Sequence, residues 1–444
     1  MKRKERILGP RGRIRGGAKL PHEKRTAELE SVILPAPEEV VISMQQHIGA
    51  PCEPVVQPGD TVYVGTKIGD SDAFVSAPVH SSVSGEVTAI TTIRLPAGNE
   101  VKAVVIRSDG NMTPDPTLQP VEVTTAEELV AAARNSGLVG LGGAGFPAHV
   151  KLRPSAEKPL DTLIINGAEC EPFITADYRE CMENSADILG GVYLVKKILG
   201  IPNVIICVED NKPKAIETLY QIAADEQDAD DSVKLMKLRS RYPQGAEKVL
   251  IYSATKRKLP FGKLPSDIGC IVMNLTSISF LYRYIRTGMP LVSKRITVDG
   301  NAVRKPQNLI VPIGTPISHV LEYCEVEGAE KIMMGGPMMG LAVYDPSLPI
   351  LKQNNAILAF SGAAAEVKQT TDCIRCGRCM RACPMKLTPA KIEGELKKPS
   401  VEVLQKLNVM YCMECGSCAF ACPAGRPLTA AMRLAKNEVK KGGK

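Results

Sequence analysis

Two runs of cysteine near the C-terminal end constrain this chain more than any other part of its sequence. The first run contains Cys373, Cys376, Cys379 and Cys383, and the second contains Cys412, Cys415, Cys418 and Cys422. Each run has the spacing C-x2-C-x2-C-x3-C-P, which is typical of segments that hold two [4Fe–4S] clusters. Zinc sites pair two C-x2-C units and do not require the proline, so zinc knuckles and a disulfide framework are the weaker alternatives.

The spacing also predicts which cysteines share a cluster. Three thiolates on one tight loop reach three irons, whereas the fourth cysteine starts a segment that points away. We therefore expect the last cysteine of each run to ligate the cluster that the other run binds. The predicted sets are Cys373, Cys376, Cys379 and Cys422 for one cluster, and Cys412, Cys415, Cys418 and Cys383 for the other.

The charges around the two runs differ. Arg375, Arg378 and Arg381 alternate with the first cysteines, whereas the second run contains Glu414 and no basic residue before Arg426. Reduction adds a negative charge to a cluster, so we expect the first cluster to have the higher reduction potential. The alternative is that these arginines point outward and bind an acidic partner.

The rest of the composition indicates a multidomain protein without a membrane span. The chain has 444 residues, and this length predicts about three domains. No apolar run reaches the roughly 18 residues that a membrane-spanning helix needs. No apolar segment follows the basic N-terminus either, so we expect no secretory signal. Fourteen cysteines without such a signal indicate a reducing compartment.

Positive charge is concentrated at the two ends of the chain. Ten Lys or Arg residues lie between positions 1 and 25, and five more lie between 431 and 444. Such tails suit an acidic partner or an anionic lipid surface, and a merely solvated tail is the alternative. We expect no nucleic-acid binding because the chain has no Trp and only seven Phe, whereas nucleic-acid surfaces interleave aromatic and basic side chains.

The N-terminal third divides into two segments. Residues 1–37 lack periodicity and are predicted to form a basic extended arm. Residues 38–110 contain short β-rich runs broken by turns, and they resemble the barrel-sandwich module of biotinyl and lipoyl carriers. A carrier has a Lys in its exposed hairpin, but this chain has His80-Ser81-Ser82 at that place. We therefore predict a structural module.

Residues 120–290 alternate strand-like and helix-like patterns, which predicts a Rossmann-like α/β domain with a mainly parallel sheet. The strand-like runs are Asp161–Asn166, Asn203–Val208, Ser232–Leu238 and Cys270–Leu275. The helix-like stretches are 125–137, Tyr178–Leu199, Lys214–Ala224, Gly245–Thr255 and Ser277–Thr287. Residues 291–350 predict a small β-grasp domain, and residues 360–435 a helical two-cluster ferredoxin-like domain. The expected fold class is thus a multidomain α/β protein.

A glycine-rich loop between Gly140 and Lys151 is the candidate flavin site. It matches G-x-G-x-x-G, but a helix precedes it and Phe-Pro follows, so it fails as a dinucleotide fingerprint. Its backbone amides can line a phosphate, and Lys151 can add a positive charge. Iron–sulfur clusters move single electrons whereas NADH delivers a hydride, and coupling the two usually requires a flavin.

The loop at 140–151 resembles the glycine loop of the NADH-binding flavoprotein subunit of respiratory complex I. The segment Asn166–Pro172 resembles the acidic loop of that flavoprotein. Together with the N-terminal module and the cysteine runs, these segments make the whole chain similar to the RnfC family, which supplies one subunit of the Rnf electron transport complex. That complex is a membrane-associated, ion-pumping ferredoxin–NAD oxidoreductase.

The resemblance implies roles for particular residues. Four would hold the FMN phosphate: Gly140, Gly142, Gly143 and Lys151. Phe146 would stack near the nicotinamide nucleotide, and Glu171 would accept its ribose hydroxyls. Six would surround the flavin: Asn166, Glu169, Gly245, Glu247, Asn274 and Ser277. The departures from the complex I pattern are Ala168 and Ala246, which stand where that family has acidic residues. From the residues alone, Glu169 and Glu171 are alternatively caps of the following helix.

The resemblance also implies a function. The chain would pass electrons between FMN, NAD(H) and two [4Fe–4S] clusters as an enzyme component of an ion-translocating complex. Its partners would be other membrane and soluble subunits, with ferredoxin as an indirect donor, and it would lie at the cytoplasmic face of the membrane. The alternatives are a cobalamin reductase of propanediol metabolism and a non-catalytic iron–sulfur adaptor without flavin.

Overall fold

The structure is a computed structural model, and it describes residues 7–10, 14, 16–154, 157–225 and 232–442. The strands of these residues form four sheets. Two sheets belong to the N-terminal module, one to the central α/β domain and one to the domain that follows it. The C-terminal segment with the cysteine runs is built from short helices. None of the helices in the described ranges is long and apolar enough to cross a lipid bilayer.

The N-terminal module consists of two facing antiparallel sheets. One sheet has the order Glu39–Ser43, Glu100–Ser108, Gly85–Arg94 and Thr61–Val62, and the other has the order Glu53–Pro54, Lys67–Asp70 and Val79–His80. Alternating apolar side chains fill the space between them, including Val40, Ile42 and Val104. The hairpin that a carrier would expose is buried here. Ser82 Oγ donates to the carbonyl of Ile313 in another domain, which supports a structural role.

The central domain contains a parallel five-stranded sheet with helices against it. The strand order is Ile7–Leu8, Val233–Leu238, Asn203–Glu209, Thr162–Gly167 and Cys270–Asn274. The helices are Ala126–Asn135, Ala148–Leu152, Ala176–Glu183, Ser185–Leu199, Pro213–Asp225, Glu247–Thr255 and Leu275–Thr287. A capping box between Thr125 and Glu128 starts the first helix. The predicted helix Tyr178–Leu199 is instead two helices, because the chain bends at Asn184.

The next domain has a mixed six-stranded sheet. Its strand order is Leu341–Ala342, Lys331–Met334, Ala356–Phe360, Ser293–Asp299, Gln307–Pro312 and Val32–Ile33. A hairpin pairs its first two long strands, the short helix Ile317–Tyr323 follows, and the strand from 356 to 360 returns parallel to the first. This is β-grasp connectivity. The sheet extends to residue 360 and takes a strand from the arm, so it is larger than the predicted span of 291–350.

The described part of the basic arm packs onto the rest of the chain. Ile7–Leu8 forms an edge strand of the parallel sheet, and Val32–Ile33 forms an edge strand of the β-grasp sheet. Between them, Ala18 bridges to Tyr242 and the backbone N–H of Gly17 donates to Ala382 at 2.8 Å. We call residues 16–34 the strap, since they cross three domains. Residues 1–6, 11–13 and 15 lie outside the described residues.

The C-terminal segment packs around its last and longest helix, Leu428–Gly442. The other helices are Arg378–Ala382, Pro389–Glu395, Val401–Lys406 and Ser417–Phe420. The core of this segment contains Cys383, Ile392, Leu404 and Met432, so one predicted cluster ligand lies within it.

Candidate functional site

The two cysteine loops have the same backbone conformation. The third residue of each loop has a positive φ, 55° at Arg375 and 58° at Glu414. The fifth residue is a glycine with φ of 69° at Gly377 and 77° at Gly416, and a short helix starts directly afterwards. Positive φ is unfavourable for residues other than glycine. Its occurrence twice at equivalent positions indicates that both loops are shaped for the same kind of ligand.

The cysteines of the second loop surround a cavity together with one cysteine of the first. Cys383, Cys412, Cys415 and Cys418 line this cavity of about 350 Å³, with Met385, Met413 and Met432 among its other walls. Burial raises the pKa of Cys412 to about 11 and that of Cys418 to about 12, and neighbouring thiols contribute in the same direction. These four residues are one of the two predicted ligand sets. They fit a cluster, since binding iron favours the thiolate that burial alone opposes.

Backbone N–H groups point at two of these sulfurs. Leu387 N–H donates to Cys383 Sγ at 3.4 Å, and Glu414 N–H donates to Cys412 Sγ at 3.4 Å. Hydrogen bonds to the sulfur ligands are one means by which proteins set cluster potentials. In the described residues, no three His, Cys, Asp or Glu side chains are arranged to hold a single metal ion. A four-iron cubane holds its thiolates further apart than a single ion does.

The first loop lies at the surface. Cys373 and Cys376 are exposed, Cys379 is buried, and Cys422 is half-buried. The N–H of Thr371 donates to the carbonyl of Ala424 at 3.0 Å. This hydrogen bond places the start of the first run beside the end of the second, next to Cys422.

The glycine loop lies at the carboxyl end of the parallel sheet. Leu141 N–H donates to Ser277 Oγ at 3.1 Å, and a Cβ on Gly142 would lie 2.4 Å from Asn274 Nδ2. Asn274 caps the helix Leu275–Thr287 by accepting from two backbone N–H groups. The structure therefore brings together Gly142, Asn274 and Ser277, which lie in separate segments and which the resemblance had assigned to one site.

Asp177 holds this corner, although it was not among the predicted site residues. Asn274 Nδ2 and Thr276 Oγ1 each donate to its carboxylate at 2.7 Å. Asp177 lies in the first turn of a helix, where an acidic residue is ordinary. Only the position of Asn274 at the end of a neighbouring strand could have indicated its role.

Gly143 is the open position of the loop. A Cβ at Gly143 would meet no atom within 4 Å, whereas at Gly140 it would lie 3.6 Å from the backbone of Phe146. The N–H of Gly140 donates to the carbonyl of half-buried Phe146 at 2.9 Å, which closes the loop. The positive φ of the loop, 68°, is at Gly145 and not at Gly143. The space beside Gly143 is therefore free, and the backbone conformation at this position is one that other residues can also adopt.

The remaining predicted flavin residues form two pairs. Lys151 Nζ lies 3.3 Å from Glu247 Oε1 and donates to the carbonyl of Val272 at 3.2 Å. Asn166 Nδ2 donates to the carbonyl of Gly245 at 2.9 Å. Both pairs lie near the carboxyl edge of the sheet. Lys151 is paired with a carboxylate, so a phosphate would have to compete with Glu247 for it.

Glu169 and Glu171 differ in their contacts. Glu169 Oε1 accepts from the N–H of Asp177 at 2.7 Å, which is a helix-capping contact, while Oε2 is buried with no partner among the described residues. Burial raises the pKa of Glu169, and the nearby ammonium groups of Lys24 and Lys212 oppose this. Glu171 does not cap that helix. Its Oε2 accepts from the N–H of Met338 at 3.0 Å, and burial raises its pKa to about 7.

The strap enters this acidic loop. Lys24 Nζ donates to the carbonyls of Glu169 at 3.1 Å and Glu171 at 2.7 Å, and also to that of Ile174. A cavity of about 280 Å³ lies here, lined by Lys24, both carboxyl residues and Tyr242. Lys24 was placed in the basic arm, and nothing in its sequence context indicated this inward position.

The acidic loop and the second cysteine loop are neighbours. Met338 connects them, since its N–H donates to Glu171 while its carbonyl oxygen lies 2.8 Å from where a Cβ on Gly416 would be. Tyr242 is buried, and burial raises its pKa with contributions from nearby Glu171 and Cys415. The cavity of the second loop is therefore the one that faces the α/β domain.

The two cysteine loops differ less in the charge of their surroundings than the charges within the two runs of sequence indicate. Glu414 forms ion pairs with Arg433, at 2.9 Å, and with Lys436. Lys436 Nζ also donates to the carbonyl of Cys412 at 3.1 Å. The last helix of the chain thus gives the second loop two basic neighbours that the sequence around that loop does not contain.

Three family models match successive parts of the chain. They are described as the RnfC barrel sandwich hybrid domain, the Nuo51 FMN-binding domain and a 4Fe-4S dicluster domain, and they match residues 12–111, 133–283 and 365–435 respectively.

Full-length relatives carry matching names. The C subunit of the Na(+)-translocating ferredoxin:NAD(+) oxidoreductase complex of Acetobacterium woodii is 39% identical, over 96% of this chain and 97% of that protein. The C subunit of the proton-translocating complex of Clostridium ljungdahlii is 40% identical, over 97% and 94%. The C subunit of the ion-translocating oxidoreductase complex of Rhodobacter capsulatus is 38% identical, over 96% and 83%.

The chain belongs to the RnfC family. The predicted family and the predicted fold class are thus confirmed, as are FMN and the iron–sulfur clusters as cofactors. The solved structure of an air-oxidised NAD+-reducing [NiFe]-hydrogenase covers 71% of this chain and 63% of its own chain, at 18% identity and a TM-score of 0.49. That likeness is too low to bear on function.

Proposed function

We propose that this member of the RnfC family transfers electrons between NAD(H), FMN and two [4Fe–4S] clusters within an ion-translocating ferredoxin:NAD oxidoreductase complex. The observation that carries the proposal is the contact between two sites. One is the cavity lined by Cys383 and the second loop, and the other is the acidic loop of the α/β domain. Met338 touches both of them.

The residues of the α/β domain suit a bound flavin mononucleotide. The flavin itself accepts a hydride and releases electrons one at a time. Gly143 leaves room for a phosphate. Lys151, which is paired with Glu247, would add a positive charge if the phosphate displaced that carboxylate. Glu171 Oε2 accepts from the N–H of Met338, and Oε1 is buried close to Tyr242. In this proposal Glu171 accepts a hydrogen bond from a hydroxyl of the nucleotide, which must approach Oε1 beside Tyr242.

The place of the chain in the cell follows from the same proposal. Relatives are named as subunits of a complex, so other subunits are the direct partners. We expect ferredoxin to donate electrons indirectly through those subunits. The chain would lie at the cytoplasmic face of the membrane, held there by its partners.

Anaerobic reconstitution with iron, sulfide and FMN, followed by NADH titration, tests the proposal. We expect about eight irons per chain, bleaching of the flavin absorbance by NADH, and EPR signals from reduced clusters. A chain that binds clusters but no flavin would be an adaptor. A chain that binds flavin but is not reduced by NADH would contradict the proposed reaction.

Lys24→Met tests whether the strap shapes the nucleotide site. The change removes an ammonium group that donates to two carbonyls of the acidic loop and to the carbonyl of Ile174 just after it. Hydrogen bonds from charged groups contribute about 1.5–3 kcal/mol, so we expect NADH affinity to fall about tenfold or more. The iron content should not change. Lys214→Met, which removes an exposed pair with Glu28, is the control and should leave affinity as in the parent.

A further inference from the structure

The two cysteine loops differ in what covers them. Arg375 and Glu414 occupy equivalent positions and share a positive φ. Glu414 is half-buried and paired with Arg433 and Lys436 of the last helix. Arg375 is exposed. The chain therefore encloses one loop and leaves the matching loop open.

The open loop presents an unusual surface. Its side chains Arg375, Arg378 and Arg381 are exposed, and in the described ranges none of the three forms an ion pair. Two apolar side chains of the same loop are exposed beside them, Ile374 at 68% and Met380 at 47%. We call these five residues the first-loop face. Arginine and methionine are enriched in protein interfaces, and exposed apolar side chains are stabilised when a partner covers them.

We propose that the first-loop face binds an acidic surface on another subunit of the complex. This inference rests on the proposed function. The guanidinium groups would pair with carboxylates of that partner, since arginine matches a carboxylate with two parallel hydrogen bonds. The same contact would cover Ile374 and Met380 and exclude water from them.

The positions of the ligands support this assignment. Cys373 and Cys376 are exposed on the same loop, so a cluster held there lies at the surface, within short reach of a redox group in the bound partner. The cavity of the second loop instead faces the acidic loop through Met338. Electrons would therefore pass between the α/β domain and the partner by way of the second loop and then the first. A contact with lipid alone would leave the exposed ligands without a redox partner.

Membrane binding by charge-reversal variants tests the proposal. The full chain, loaded with FMN and clusters, is sedimented with washed membranes that contain the remaining subunits but lack this one. Membranes without any subunit of the complex serve for comparison. Arg375→Glu with Arg378→Glu should weaken binding about tenfold or more, because like charges at an interface are costly. The difference should shrink as salt rises from about 50 to about 300 mM, since screening weakens exposed charges.

A matched pair of exposed lysines in the same domain provides the control. Lys397→Glu with Lys398→Glu makes the same change in charge and should leave binding within about twofold of the parent. Equal weakening by both pairs, unchanged binding of the arginine pair, or equal binding to membranes without the subunits would each overturn the proposal. Iron, flavin and reduction by NADH are measured in every variant. If the parent chain lacks iron or flavin or is not reduced by NADH, the proposed function is contradicted. If the arginine variant keeps all three properties and binds the membranes as the parent does, only the docking surface is contradicted.

If the glutamates disturb the cluster loop, Arg375→Gln with Arg378→Gln replaces them. This milder pair should keep the parent's iron content and weaken binding about threefold or more, because it removes charge without adding repulsion. Full binding by that variant would overturn the proposal as well.

Discussion

A chain in which Cys383 is replaced by alanine should keep about four of its eight irons, and the cluster that it loses should be the one bound by the second run. The structure places Cys383 with Cys412, Cys415 and Cys418 around one cavity, although it belongs to the first run in the sequence. Iron and labile sulfide assays measure the loss. The core of the C-terminal domain should also loosen, since Cys383 packs within it and a bound cofactor stabilises the native state.

Double substitutions distinguish crossed from uncrossed ligation. If Cys383 serves the second cluster, Cys383→Ala with Cys415→Ala should still leave about four irons, because both changes affect the same cluster. Cys383→Ala with Cys376→Ala should leave none. Uncrossed ligation predicts the reverse pattern. Cys324→Ala, in the β-grasp core, is the control and should retain all of the iron.

Gly143→Val should release the flavin and leave the fold and the clusters intact. The new side chain would meet no protein atom within 4 Å of its Cβ, and φ at this position is not positive. It therefore occupies only space that a phosphate needs. We expect the flavin dissociation constant to rise about tenfold or more, which corresponds to about 1.4 kcal/mol. Flavin fluorescence during equilibrium dialysis gives the constant.

The choice of Gly143 makes that result interpretable. Gly142→Ala would lose flavin for another reason, since its Cβ would lie 2.4 Å from the side chain of Asn274. Gly394→Val is the matched control, because Gly394 is also free of neighbours within 4 Å but lies in the C-terminal domain. If the Gly143 variant binds flavin as tightly as the control, the glycine loop does not hold the phosphate.

The sequence was informative wherever a local pattern determines the structure. Four of the five strands of the parallel sheet were located to within one residue, because their runs are largely apolar, as in Val204–Val208. The helix that starts after Thr125 was located from another local pattern, because its capping box lies within four residues. The cysteine spacing predicted that Cys383 joins Cys412, Cys415 and Cys418, and these four residues line one cavity. This prediction was possible because the short intervals between the cysteines determine the shape of the loop.

Contacts between distant segments could not be predicted in this way. Lys24 reaches a loop about 150 positions away, and no periodic pattern marks such a contact. Glu414 was judged by its immediate neighbours, whereas its partners Arg433 and Lys436 come from the last helix of the chain. The bend at Asn184 was missed because the residues on both sides favour a helix.

The strap has a consequence for how the chain reaches its native state. Ile33 pairs with Ile310, and Gly17 donates a hydrogen bond to Ala382. Contacts of such sequence separation form slowly, because long loops must close before any of them is stabilising. At ribosomal rates of about 5–20 residues per second, roughly 20 to 70 seconds separate synthesis of Gly17 from that of Ala382. Buried Leu34 belongs to a core whose members lie mostly at residue 296 and beyond, so most of its partners emerge long after it. The strap is therefore synthesised long before its partners and is among the last segments to acquire its native contacts.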